Sequence, residues 1–238
     1  KIVVLISMLQ TFLQYALFYH GINLVPASLA AIIIGSQPLF IAFVVHLMMP
    51  GDSMNRRKLF IYLLGICGIV LVSLGRNEFS LKSDVSIIGI LLLLMVNIIA
   101  GVSNVFVSKD GKNIPALVLS SSSLLMGGTC LFLLSIPVEG LTSLIQPLPY
   151  YLSLVWLSLL SAVAISIWFI LLKRTGVKVS ELNFWKFLIP VAGAILAWII
   201  LPDERINIYA IIGMAIITIS LILLNINRRR SVEKTSPV

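Results

Sequence analysis

The chain has 238 residues, of which 59% are hydrophobic and only 11% charged, with a formal net charge of +8. An ordinary soluble domain carries roughly 25% charged residues, so this composition excludes a normal globular surface. The positive charge does not point to nucleic acid, because the basic residues sit at the ends of apolar runs rather than on one folded face.

The apolar runs are about 17 to 25 residues long, the length that crosses a hydrocarbon core as a helix. They predict an all-α, polytopic membrane protein with the lipid bilayer as its surroundings. Eight helices are expected, over 3–20, 27–49, 58–75, 85–107, 115–136, 149–172, 180–201 and 207–226.

In the first run Gln10 and Gln14, at i and i+4, present two amides to one ligand or bond each other. Tyr19 and His20 follow at the end where interfacial aromatic belts sit. The second run carries Ser36 and Gln37 just before Pro38. A proline removes one backbone donor and frees a carbonyl for a side chain, water or substrate. Cys67 in the third run and Cys130 in the fifth are isolated thiols inside apolar sequence, which pack as small residues rather than form a disulfide or a metal site.

The fourth run places Asn97, Gly101 and Asn104 on one face. That face is small and polar over roughly 10 Å at 1.5 Å per residue. It suits a cavity wall and helix packing equally. The serines of "SSSSLLMGG" (120–128), with Ser158, Ser161 and Ser166 in the sixth run, read as interhelical contacts, and Trp168, Trp185 and Trp198 as bulk filling.

The seventh run holds Lys186, the one basic residue clearly inside a span, with Asn183 three residues before it and Pro190 four after. Its ammonium either snorkels back toward Glu181 at the interface or faces the bundle interior. There it would bind a substrate carboxylate or exchange a proton as a coupling group. Pro38 and Pro190 are expected to kink their helices. The tail "NRRRSVEKTSPV" reads as a basic stop with a short disordered end.

With eight spans, thirteen of the basic residues fall on one side of the membrane and three, Arg76, Lys82 and Arg205, on the other. The positive-inside rule makes the crowded side, with the C-terminus, cytoplasmic.

An internal repeat lies beneath this pattern. An offset of 152 pairs Ser28 with Ser180, Pro38 with Pro190 and Pro50 with Pro202, and an offset of 148 pairs Arg57 with Arg205 and Gly65 with Gly213. The first three runs thus correspond to the last three. Five helices separate the copies, an odd number, so the copies are inverted, as in many secondary transporters. The expected organisation is 1–76 as the last three helices of a first repeat, 84–226 as a complete second repeat of five helices, and 227–238 as a basic tail. Two further helices before Lys1 would complete ten.

Two pairs of segments, "ASLAAIIIGSQPLFIAFVVHLMM" with "LFIYLLGICGIVLV" and "SELNFWKFLIPVAGAILAWIILPDE" with "INIYAIIGMAIITISLIL", resemble the two EamA domains of the drug/metabolite transporter superfamily. The markers are a proline in the fourth helix of each repeat (Pro38, Pro190), an acid after it (Glu204, with Asp52 a looser match) and a glycine in the fifth (Gly65, Gly213). The resemblance implies ten helices with both ends cytoplasmic in a bacterial inner-membrane carrier, commonly an exporter of amino acids or other small metabolites.

The expected function is secondary transport of a small molecule by alternating access. The lining candidates are Lys186, Asn97, Asn104, Gln10, Gln14 and Gln37, and the hinges Pro38 and Pro190. No cofactor is implied, and a homodimer is compatible with the pattern. A membrane scaffold or channel subunit is the alternative. An intramembrane enzyme is least supported, because His20 and His46 lie near opposite faces and no carboxylate sits deep in a span.

Overall fold

The computed structural model describes residues 1–52, 54–75, 87–140, 146–200 and 208–235. All secondary structure among them is helical. Where its ends are described, each expected run is found within a few residues of them, except that the last, expected to end at 226, continues to Thr235. Among the described residues, five segments are long and apolar enough to cross a membrane: Ile2–Ile22, Leu29–Met48, Ile87–Lys109, Ala116–Val138 and Leu148–Lys173. The chain is a multi-pass membrane protein.

Three of the runs are not simple α-helices. The first consists of α1 (Ile2–Ser7), a π-helical turn over Met8–Leu13 and α2 (Gln14–Ile22). The second breaks at Ser36 into α3 (Ala27–Gly35) and α4 (Gln37–Met48). The seventh, expected as one helix, is α9 (Val179–Phe184), a 3₁₀ turn over Trp185–Phe187 and α10 (Leu188–Ile200). The others are α5 (Arg56–Gly75), α6 (Ile87–Lys109), α7 (Ala116–Glu139), α8 (Leu148–Lys173) and α11 (Ile208–Thr235). The basic tail, expected as a stop with a short disordered end, is helical as a continuation of α11 to Thr235, and residues 236–238 lie outside the described residues.

Pro38 does not bend a continuous helix as expected. It lies in the first turn of α4, and Pro190 occupies the first turn of α10. A proline there forfeits no helical hydrogen bond, because the first N–H groups of a helix have no partner inside it. Both prolines therefore mark the start of a new helix after an interruption.

Helix α6 is the centre of the bundle, packed against α2, α3, α4, α8 and α9. Its inward stripe of Leu93, Val96, Asn97, Ala100, Gly101, Ser103 and Asn104 is buried. Gly101 admits α4 closely, since a Cβ there would lie 2.9 Å from Val44. Helix α7 packs on α1, on the π-helical turn and on α8. Helices α5 and α11 pack closely on each other, and as a pair also touch α3, α4, α10 and the 3₁₀ turn. Along most of its length α8 presents exposed leucine, valine and isoleucine; Phe169 and Leu172, near its end, are its buried residues.

The residues Pro202, Glu204, Arg205, Arg76 and Lys82, which carried part of the repeat and charge reading, lie outside the described residues. So do the side chains of Ser28 and Trp198.

Candidate functional site

The polar groups inside the bundle gather where the helices lose regularity. Lys186 lies in the 3₁₀ turn between α9 and α10, and its Nζ donates to Gln37 Oε1 at 2.9 Å. Gln37 is the first residue of α4, immediately after the break at Ser36. The ammonium also stands 4.8 Å from the centre of the Trp168 ring, within range of a cation–π attraction. Both partners are neutral. The cation is solvated by an amide oxygen and a π-face, and among the described residues no carboxylate forms an ion pair with it.

The ring of Trp168 extends the chain. Its Nε1 donates to Asn104 Oδ1 at 3.3 Å, and Asn104 Nδ2 donates to Asn183 Oδ1 at 3.0 Å. Asn183 Nδ2 in turn donates to the Val179 carbonyl at 2.9 Å. Asn104 and Asn183 are buried, so both amides are held in a fixed orientation by their neighbours. The result is a continuous polar path, Gln37 to Lys186 to Trp168 to Asn104 to Asn183, across α4, α6, α8 and α9.

A second polar point lies on α6. Asn97, completely buried, donates from Nδ2 to the Ile33 carbonyl at 2.7 Å, and the Ser36 hydroxyl donates to the same carbonyl at 2.6 Å. The break after Gly35 leaves that carbonyl near the end of α3, where a helix needs outside donors. Since the amide nitrogen of Asn97 must face Ile33, its Oδ1 faces away, and it has no hydrogen-bond partner. Gln14 Oε1 is likewise buried without one. These two acceptors can receive a water or a donor on a ligand. Gln10 accepts from the Ser103 hydroxyl, one residue from Asn104 on α6.

Of the six lining candidates, Lys186, Gln37 and Asn104 therefore join one network. Asn97, Gln14 and Gln10 line the neighbouring α3, α2 and α6 surfaces, the last through Ser103. Lys186 does not turn toward Glu181, as one expectation had it. Glu181 instead lies 3.5 Å from Lys58 and 3.8 Å from Lys178. Trp168, expected to fill bulk, bonds the network at both its ring face and its nitrogen. Its place next to Lys186 had no local sequence signal, since 18 residues and a helix reversal separate them.

Of the serines expected as interhelical contacts, Ser120, Ser123 and Ser166 make them. Thr11 and Ser123 share a bond of 2.9 Å between the π-helical turn and α7, and Ser120 and Ser166 one of 2.9 Å between α7 and α8. Ser158 bonds its own helix at the Leu154 carbonyl.

Sequence reasoning missed a cluster at the basic end, where α4 finishes and α9 starts. Asp52, Lys58, Tyr62, Ser180 and Glu181 are all buried there. Asp52 Oδ2 accepts the backbone N–H of Ser180 at 2.8 Å, and Asp52 Oδ1 accepts the Ser180 hydroxyl and, at 3.3 Å, the Lys58 ammonium. The Tyr62 hydroxyl donates to the Ser180 carbonyl at 2.8 Å. The available signal was the loose match of Asp52 to the family's acidic marker.

The chain and its fold are similar to those of known proteins. The uncharacterized transporter YvbV of Bacillus subtilis (strain 168) is 25% identical over 219 residues, covering 92% of this chain and 70% of its own. A crystal structure of a protein 20% identical superposes with a TM-score of 0.75, covering 88% of this chain and 72% of that one; at that identity the likeness concerns the fold alone. The model of the EamA-like transporter family matches residues 1–74 and 87–226, so that the chain, from its first helix to the apolar part of α11, belongs to the EamA-like transporter family.

Proposed function

We propose that the chain acts as a secondary carrier that exports small, carboxylate-bearing metabolites by alternating access, with Lys186 as the anchor for the carboxylate. The observation that carries this reading is a coincidence of place. The break at Ser36 and the 3₁₀ turn at Trp185–Phe187 meet at the Gln37–Lys186 contact, and the π-helical turn at Met8–Leu13 contains Gln10. Irregular backbone at membrane depth is tolerated where it is enclosed by protein or lines a cavity. Discontinuous helices at the junction of repeats are where carriers bind their cargo.

An inverted repeat organises the same parts. Helices α3–α4 and α9–α10 both stop and restart just before a proline, and α5 pairs with α11. The α1–α2 rod is covered by α6 and α7. Its counterpart α8 would take the counterparts of those two helices on its exposed apolar face. By the positive-inside rule the basic end is cytoplasmic, in the plasma membrane, with the C-terminus inside.

The test is exchange. Vesicles reconstituted with the protein and loaded with a panel of amino acids and other small carboxylates should show saturable counterflow of at least one of them. A broad metabolite panel without any saturable exchange would reject the carrier in favour of a scaffold or channel subunit.

A further inference from the structure

We infer that Asp52 is a positioning residue that latches the basic end shut, holding α9, and with it Asn183 and Lys186, in place from the far end of α4. The geometry stands by itself; its meaning for transport rests on the carrier reading above.

Helix α9 begins without a cap of its own, as Lys178 at its N-cap makes no side-chain hydrogen bond. The first N–H groups of a helix need acceptors, and Asp52, from a loop 128 residues away in sequence, supplies one to Ser180 together with a bond from its hydroxyl. The Asp52 carboxylate is itself buried, so it needs compensation. Lys58, in the first turn of α5, provides it at 3.3 Å and also reaches Glu181 at 3.5 Å. Charges alternate from Asp52 through Lys58 and Glu181 to Lys178, whose ammonium is 40% exposed and lies 3.8 Å from Glu181. Tyr62 closes the cluster from α5, bonding the Ser180 carbonyl and meeting Phe184 edge to face at 4.8 Å.

Besides the packing of α4 on α9, hydrogen bonds tie the two sides at Asp52–Ser180, from the loop after α4, and at Gln37–Lys186, in the 3₁₀ turn after α9. Between these contacts α9 carries Asn183, the partner of Asn104. A ligand leaving the Lys186 site toward the basic end must part α4 from α9. The Asp52 contacts, with the carboxylate paired to Lys58, oppose this. Their buried, charge-assisted character makes the opening two-state, with the contacts either made or replaced by water.

The experiment measures that opening without a substrate. In full-length protein carrying Cys67→Ser and Cys130→Ser, spin labels are placed at Gly51→Cys and Thr175→Cys, both at exposed positions, Gly51 with nothing within 4 Å of an added Cβ. Distances are read by pulsed electron paramagnetic resonance in lipid nanodiscs. Protein with the latch intact should give a predominantly short distance. Asp52→Ala should add a longer population, raising the open-to-closed ratio roughly tenfold or more, as expected for loss of a hydrogen bond to a charged group. Ser180→Ala, which leaves the backbone contact in place, should shift the same ratio in the same direction by less, and it decides the matter if Asp52→Ala fails to fold. An unchanged short distance in a folded variant with only a lowered unfolding temperature would overturn the latch. Should the distances shift while no variant, nor the parent, exchanges any metabolite, the carrier reading falls and the latch stands.

Discussion

At the residue scale the decisive group is Lys186. An ammonium inside a span is costly, and its two contacts here, Gln37 and Trp168, are both uncharged. A ligand carboxylate would complete the charge pair. Lys186→Gln keeps a donor of similar reach but loses the charge, which is worth about 1.5–3 kcal/mol in a hydrogen bond to a charged group. The KM for carboxylate substrates should therefore rise about 10- to 100-fold in counterflow assays, while analogues with the carboxylate converted to an amide change little. Equal losses for both kinds of substrate would remove the amine from recognition. Lys186 was legible because it is the single basic residue inside an apolar run. Asn104 was legible through its face on the fourth run. Ser103 and Trp168 were not, since a hydroxyl or an indole in a helix acquires meaning only when the opposing helix is known. Asp52, Lys58 and Ser180 were invisible as a cluster for the same reason: 128 residues separate Asp52 from Ser180, and loop charges in a membrane protein read first as topology signals.

At the element scale, run length gave the helices but not their interruptions. The fifth run was expected over 115–136 and is found at Ala116–Glu139, because hydrophobic length governs a span directly. The π-helical turn "MLQTFL" contains neither proline nor glycine. Its distortion goes with a tertiary contact, α7 lying so close that a Cβ on Gly127 would stand 2.4 Å from the Cβ of Thr11. The break before Pro38 is the case where sequence and structure differ in an informative way. Pro38 was expected to bend one helix, yet it begins a second one and so keeps the Ile33 carbonyl available to Asn97 and Ser36. Pro38→Ala restores an N–H and a good helix former, favouring a continuous α3–α4 helix. The unfolding temperature should hold or rise by a few degrees while the initial exchange rate falls several-fold, as Gln37 turns away from Lys186. A variant with unaltered rate would reduce Pro38 to a residue that merely fits the first turn of α4.

At the scale of the whole molecule, the pair α5–α11 differs from the elements that make the site. The two helices touch backbone to backbone: a Cβ on Gly213 would lie 2.6 Å from the Gly68 carbonyl oxygen, and one on Gly68 2.8 Å from the Gly213 carbonyl oxygen. The sequence repeat had matched Gly213 with Gly65, whereas Gly65 faces the ring of Phe187, 2.6 Å from where its Cβ would be. Both glycines of "GICG" are therefore used, one for the helix crossing and one to seat the 3₁₀ turn that carries Lys186. Neither of these clashes can be relieved by rotating a flexible tip, since the obstacle is backbone in the first case and a buried ring in the second. Among the described residues no hydrogen bond or ion pair joins α5 or α11 to Lys186, Gln37 or Asn104, so the pair serves as a spine against which the broken helices are held. Gly213→Leu should consequently lower stability by about 1–3 kcal/mol, the usual cost of overpacking, and reduce the yield of folded protein in detergent. The folded remainder should keep its KM, in contrast with Lys186→Gln. Gly128→Leu, at a position with nothing within 4 Å of an added Cβ, should leave both stability and KM unchanged. A raised KM in folded Gly213→Leu would show that the spine moves with the site, because a displacement at that crossing reaches Lys186 through Phe187 and the 3₁₀ turn, and Gln37 through Ile69 against Gly35.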